Sequence, residues 1–309
     1  MSINGKIVLR VFAGLGNQQF QYAFVKALSL KYNKELIIDN SYFLKRYFPI
    51  GQFNGVVYPY KLKEYTLIEH ERHTNVISRE FMGMLNRYSR IQKLYQAIQS
   101  LPLINNLLPT LVTHENFLEE WFHENKTFLI SGYFQKYDFF EEFADDIREK
   151  LTYKKELSNE NQKYLEEIKA NSTVSVHIRR GDYIEKKNVA NNFANVTAVY
   201  FYDAIKYISS KIKIDKLVVF SDDIQWVKDN LRFDYECIYI ENDGPDFQHQ
   251  YLMSQCNHNI ISNSTYSWWG AWLNPDKEKI VCVPGRWFAD EKRKNDIYIP
   301  NSWVRLEKN

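Results

Sequence analysis

Residues 174–183 read Val-Ser-Val-His-Ile-Arg-Arg-Gly-Asp-Tyr, which crowds an imidazole, two guanidinium groups and a carboxylate into residues 177–182. Val174, Val176 and Ile178 share one face of a period-two strand, and Ser175, His177 and Arg179 share the other. The apolar face is expected to pack on a core while the second presents the imidazole and a guanidinium. A strand that ends in Arg179 and Arg180 sets two cations at the carboxyl edge of a sheet, where ligands of open α/β proteins collect. Such a pair can capture an anion, most often phosphate, through charge-assisted hydrogen bonds. Asp182 can accept a proton, orient Arg179 or tie the turn together.

Two other strand ends offer chemistry to the same edge. In Phe220-Ser221-Asp222-Asp223 an apolar strand runs into two carboxylates, which either cap the next helix or accept hydrogen bonds from a ribose or a purine edge. In Ile260–Trp269 a strand meets a helix through Ser262, Asn263, Ser264 and Thr265, with Ser267 one turn in. Exposed N–H groups, hydroxyls and the positive end of the helix dipole there form a seat for phosphate, or a well-capped helix whose tryptophans fill a core. Near the start, Gly14-Leu15-Gly16-Asn17-Gln18-Gln19 follows a strand and Asp39 ends the next, a partial dinucleotide fingerprint whose third glycine position holds Gln19. Asn17 and Gln18 can instead hydrogen-bond a ligand.

The elements that must position these groups alternate. The chain opens with a strand at Lys6–Phe12, a glycine loop at Ala13–Asn17, a helix over about Gln18–Tyr32 and a strand at Glu35–Asp39, a βαβ unit. Residues 40–125 read as an insertion of loops and helices, with a basic helical pattern near Arg79–Ser100. A strand at Lys126–Gly132 and an acidic helix at Phe139–Leu151 follow. The charged helix Ser158–Ala170 reads as the connection between two lobes, 1–165 and 166–309. The second half then repeats strand and helix: strands at 173–179, Lys216–Phe220, Tyr235–Ile240, Asn259–Ser262 and Lys279–Pro284, and helices near Ala198–Lys211, after Asp222 or Asp223, near Phe247–Cys256 and at Thr265–Leu273. That alternation predicts parallel sheets covered by helices, the α/β class.

Composition narrows the function. The 309 residues suffice for two lobes, and 40 basic against 38 acidic residues leave a net charge of +2, unlike a dedicated nucleic-acid binder. Aromatic residues make up 16% of the chain, which suits either a sugar-binding cleft or an aromatic core. Cys237, Cys256 and Cys282 lack metal-ligand spacing and read as small thiols in a reducing compartment. The absence of a signal-like start and of a long apolar run points to a cytoplasmic chain without stable membrane insertion; the basic helix near 79–100 leaves room for peripheral membrane contact.

Five segments together resemble bacterial inverting α-1,2-fucosyltransferases: Gly14–Ala23, Gly132–Gln135, His177–Tyr183, Phe220–Asp223 and Ile261–Leu273. They follow that family's order and span most of the chain outside 40–125. The resemblance implies a GT-B-type fold of two Rossmann-like lobes with an interlobe cleft, GDP-fucose held by the C-terminal lobe and a galactose-terminated glycan approached from the N-terminal one. It assigns Arg179 to the diphosphate, with Asp182 and Asn17 as further catalytic candidates. His177, Arg180, Asp222, Asp223, Ser264, Thr265, Ser267 and Gly16 become nucleotide contacts. Gln19 departs from the methionine usual in the family, a change expected to touch packing. Without an Asp-x-Asp sequence, no divalent metal and no other cofactor is expected. The rival readings are an oxidoreductase using NAD through Gly14, Gly16 and Asp39, and a nucleotide-sugar or glycan-binding module without turnover.

Overall fold

In the computed structural model, which describes residues 5–43, 52–53, 56–65, 89–99, 101, 108–180, 193–194, 196–241, 244–290 and 299–306, the chain divides into two units, Met1–Leu151 and Thr152–Asn309. The first unit opens with β1 (Lys6–Arg10), α1 (Leu15–Tyr32) and β2 (Glu35–Asp39). A short pair β3 (Gln52–Phe53) and β4 (Val56–Val57), then α2 (Ser89–Gln99), β5 (Thr110–Val112), β6 (Thr127–Ile130) and α3 (Ala144–Leu151) complete it. Its sheet has the order β2-β1-β6-β5, all parallel.

α1 starts three residues earlier than the sequence pattern suggests. Ala13 takes a left-handed φ of 66°, and Gly14 then caps the helix, its carbonyl accepting from the N–H groups of Asn17 and Gln18 at 3.0 Å each. Gly16 and Asn17 therefore belong to the first helical turn. At the other end Asn33, at φ 49°, supplies the left-handed C-cap, and Lys34 N–H returns to the Ser29 carbonyl at 3.0 Å.

The region read as an insertion contributes to the first sheet. β5 was hidden in an apolar stretch after Pro109, and Tyr95 of α2 is buried with Val8, Ile37, Leu111 and Leu129. Arg79 and Arg87 of the expected basic helix lie outside the described residues. The acidic helix is broken: Tyr137–Phe139 and Glu141–Phe143 are 3-10 turns, and α-helical geometry begins only at Ala144. Much of the aromatic content is core, as in the stacked pairs Phe24–Phe134, with ring centroids 4.0 Å apart, and Phe122–Phe128, at 4.3 Å.

The second unit comprises α4 (Asn159–Ala170), β7 (Thr173–Ile178), α5 (Ala198–Ser209), β8 (Lys216–Ser221), α6 (Ile224–Asn230), β9 (Glu236–Tyr239), α7 (Asp246–Gln255), β10 (His258–Ile260), α8 (Thr265–Trp272), β11 (Val281–Pro284) and β12 (Val304–Leu306). Its strands are parallel in the order β12-β11-β10-β7-β8-β9. β12 carries no periodic signal in the sequence; it is three residues long. α4, read from sequence as the connection, packs on α7 within this unit. The buried Asn161 amide donates to Gln248 Oε1 at 2.7 Å, and Ser158 Oγ caps α4 by accepting from Asn161 N–H.

Every residue of β7 is buried, because a central parallel strand is covered on both faces. Val174, Val176 and Ile178 pack on α5 through Tyr200, Phe201 and Ile205. The opposite face, expected to be open, is also sealed. Ser175 Oγ accepts from Asn259 Nδ2 at 2.7 Å, and Asn274 Nδ2 donates to Asn259 Oδ1 at 2.9 Å, so this buried polar patch is internally satisfied.

Candidate functional site

β7 has β8 and β9 on one side and β10, β11 and β12 on the other, so chain direction across the sheet reverses between β7 and β10. Ligands of doubly wound sheets sit outside the carboxyl ends of the strands at such a reversal. His177, near the end of β7, bridges it: Nδ1 is hydrogen-bonded to Ser262 Oγ, just past β10, at 2.9 Å. The imidazole lies 5.4 Å from the ring of Tyr266 and is buried. Burial, with the Arg179 charge adding to it, pulls its pKa down to about 3, so it is neutral at physiological pH. His177 is thus a support beneath the edge, not a group presented on an open face.

Above it the two arginines meet the two carboxylates of the next strand. Arg179 Nη1 lies 3.1 Å from Asp222 Oδ2, and Asp222 Oδ1 accepts from the Arg180 backbone N–H at 2.8 Å. Arg180 Nε is 3.5 Å from Asp223 Oδ2, and its guanidinium carbon stands 3.3 Å from the centre of the Trp226 ring. Asp223 also caps α6, its Oδ1 accepting from Trp226 N–H at 3.2 Å. Of the two roles weighed from sequence for these carboxylates, Asp223 takes the helix cap, while Asp222 faces Arg179. Trp226 carried no signal beyond its place one turn after Asp223.

Ser264 stands at the N-cap of α8 without a side-chain capping bond, and Thr265 opens the helix. Both are half-buried. Ser267 is different: it is fully buried, and its Oγ donates inward to the Ser262 and Ser264 carbonyls at 3.4 and 3.2 Å. It braces the turn from below instead of offering a hydroxyl to phosphate. Asn263 is likewise buried and structural, donating to the Ala194 and Trp287 carbonyls at 2.7 and 3.0 Å. Trp268 and Trp269 fill the core, as one sequence reading held.

Asp182 lies outside the described residues. Gly16 and Asn17 belong to the other unit, where β1 is flanked by β2 and by β6 and the chain direction reverses in the same way. Asn17 Oδ1 accepts from Gln135 Nε2 at 2.5 Å. Beside them, Phe12 packs edge-on to Tyr133 at 5.1 Å and 6.0 Å from Tyr42, forming a half-buried aromatic rim past β1, β2 and β6. Gly16 is buried in the first turn of α1.

The neighbouring glutamines are scaffold. Gln18 Nε2 donates to the Ala13 and Pro59 carbonyls at 2.8 and 2.9 Å, and its Oε1 accepts from Lys61 N–H at 2.9 Å. Gln19, buried, donates to Tyr65 Oη at 3.1 Å, so the departure from methionine does touch packing. The dinucleotide fingerprint is occupied by the protein itself. A Cβ on Gly14 would stand 3.2 Å from the Tyr58 ring, and Asp39 is buried against Arg10 on the adjoining strand instead of facing a ribose.

The sequence profile of Glycosyl transferase family 11 matches residues 6–307. The chain is 32% identical to the O-antigen biosynthesis glycosyltransferase WbnK of Escherichia coli, over 95% of this chain and 98% of that protein. It is 27% identical to an alpha-1,2-colitosyltransferase of Escherichia coli, over 98% and 99% of the two chains. Galactoside alpha-(1,2)-fucosyltransferase 1 of Rattus norvegicus is 29% identical over 56% of this chain and 49% of its own length. No helix among the described residues is long and apolar enough to cross a membrane.

Proposed function

The chain belongs to glycosyl transferase family 11, and from that premise we propose that it moves L-fucose from GDP-fucose to the 2-hydroxyl of a terminal galactose on a glycan, inverting the anomeric centre without a metal. The observation that carries this reading is Arg179 at the carboxyl end of β7, the strand that borders the chain reversal of the second sheet, where Asp222 from the end of β8 pairs with it and His177 ties β7 to Ser262 ahead of α8.

The reaction forms a bond from the acceptor oxygen to C1 of fucose while the bond from C1 to the β-phosphate oxygen breaks. Positive charge develops on the sugar and negative charge on departing GDP. Arg179 supplies a bidentate cation to the diphosphate, and the first turn of α8 at Thr265 adds its partial positive charge. The acceptor proton goes to a carboxylate, assigned here to Asp182. An Asp182→Asn chain that folds and turns over at the wild-type rate would remove Asp182 from that role. Asn17, held by Gln135, positions donor or acceptor.

The acceptor is assigned to the rim of Phe12, Tyr42 and Tyr133, since half-buried aromatic faces beside amide groups suit a neutral sugar. Tyr133→Ala is expected to raise the acceptor KM by about tenfold at unchanged donor KM, taking the upper end of a single aromatic contact. Equal shifts in both constants would place the rim elsewhere in the reaction.

The deciding experiment follows GDP release from GDP-fucose with lactose or N-acetyllactosamine in the presence of EDTA. Acceptor-dependent release unaffected by chelation is expected. A strict need for added divalent metal would refute the metal-independent step; binding of GDP-fucose without release over a broad acceptor panel would favour a binding module. Likeness to a colitosyltransferase favours a second reading, in which the transferred sugar is colitose. Turnover of GDP-colitose but not GDP-fucose would establish it.

A further inference from the structure

Arg180 and Trp226 form a contact that neither phosphate binding nor helix capping requires. The guanidinium lies over the indole at 3.3 Å, and its Nε faces Asp223 at 3.5 Å; Asp223 in turn accepts from the Trp226 backbone N–H. These three groups form a closed ring of contacts on the first turn of α6. The Arg180 backbone N–H then donates to Asp222 Oδ1 at 2.8 Å, and Asp222 Oδ2 faces Arg179 at 3.1 Å. The chain of contacts therefore runs from Trp226 through Arg180 and Asp222 to Arg179.

We infer that Trp226 is a positioning residue: it clamps the Arg180 side chain flat on α6, fixes the Arg180 backbone against Asp222 and so sets the direction in which Arg179 meets a nucleoside diphosphate. Adjacent arginines then divide the work. Arg180, with one face covered by an aromatic ring and its Nε turned to a carboxylate, is an anchor; Arg179, held by an exchangeable carboxylate, is the ligand group. A guanidinium is required at 180 because its plane stacks on an indole, which a lysine ammonium cannot reproduce in the same geometry.

The inference rests on the reading of Arg179 as the diphosphate-binding group, and the test separates the two. GDP affinity of the full chain is measured by calorimetry, with donor and acceptor KM from the GDP-release assay. Trp226→Leu is expected to weaken GDP binding by about tenfold and Trp226→Phe by about threefold or less, as the weaker quadrupole of a phenyl ring dictates. Arg180→Lys should match Trp226→Leu, and the acceptor KM should stay at the wild-type value in all three. In an Arg179→Ala background, Trp226→Leu should add no further loss of donor kcat/KM, because its effect passes through Arg179. Full GDP affinity in Trp226→Leu, a loss additive with Arg179→Ala, or parallel loss of acceptor affinity would overturn the clamp. If Trp226→Leu does not fold, Trp226→Phe and Arg180→Lys carry the same comparison. Wild-type protein that fails to bind GDP would overturn the diphosphate reading and the clamp with it.

Discussion

Arg179→Ala is expected to lower kcat/KM for the nucleotide-sugar donor by about 100- to 1000-fold, the loss seen when one preorganised donor to a developing anion is removed. The side chain stands at the carboxyl edge of β7 with part of its surface open, and its partner Asp222 is comparably exposed. With about a quarter of each side chain open to water, the pair is partly screened and contributes on the order of 1 kcal/mol. A diphosphate, which carries more charge and accepts two parallel hydrogen bonds, can therefore displace Asp222 at little cost. Arg179→Lys keeps the charge but loses the planar fork, so it is expected to recover only a small part of the activity. Steady-state kinetics of GDP release, with thermal unfolding as a control, measure both variants. An alanine variant with donor kcat/KM within a few-fold of wild type would remove Arg179 from the diphosphate.

Asp222→Asn provides the sign. If Asp222 only competes with the ligand, its neutralisation leaves GDP affinity intact or raises it; if it holds Arg179 in place, affinity falls. Its two oxygens serve two donors, the Arg179 guanidinium and the Arg180 N–H, which favours the holding role. The partly open guanidinium and carboxylate also make binding sensitive to ionic strength.

The second sheet was legible because its strands are short apolar runs separated by helical periods, as a sheet buried on both faces demands: Leu217–Phe220, Ile238 and Val281–Val283 all lie in the core. The site edge was legible for the same reason, since polar groups that break such runs at their carboxyl ends fall at one edge of a parallel sheet. Burial of individual polar residues was not. His177 and Ser175 alternate correctly with the valines, but alternation says nothing of whether the second face meets water or α7 and α8. Ser267 shares a helix start with Thr265, yet two positions along a helix turn the hydroxyl inward by about 200°. The early start of α1 depends on Ala13 adopting φ 66°, a conformation that a non-glycine side chain gives no reason to expect. Trp226 gives no signal in the sequence because its partner lies 46 residues earlier in the chain, and such a pairing exists only once β7 and β8 lie side by side.

His177→Gln is expected to flatten the acid limb of folding stability. In the unfolded chain an imidazole takes up its proton near the ordinary value of 6.5, whereas in the fold His177 does so only near 3 because burial, reinforced by Arg179, disfavours the cation. Between those values the unfolded state binds a proton that the native state does not, so unfolding is favoured as pH falls; above 6.5 the residue contributes no pH dependence. One group in this condition costs about 1.4 kcal/mol per pH unit, or roughly 3 kcal/mol between pH 6.5 and 4.5. That is a large share of the 5–15 kcal/mol by which domains are usually stable. Glutamine is neutral throughout, so its unfolding free energy from urea titrations should fall less steeply than that of the wild type, the two curves converging or crossing as the pH drops. Every other side chain is common to the two proteins, so the difference between the two curves reports His177. Parallel curves for the two proteins from pH 7 to 4.5 would mean that His177 can be protonated in place, and the neutral support beneath the arginines would have to be abandoned.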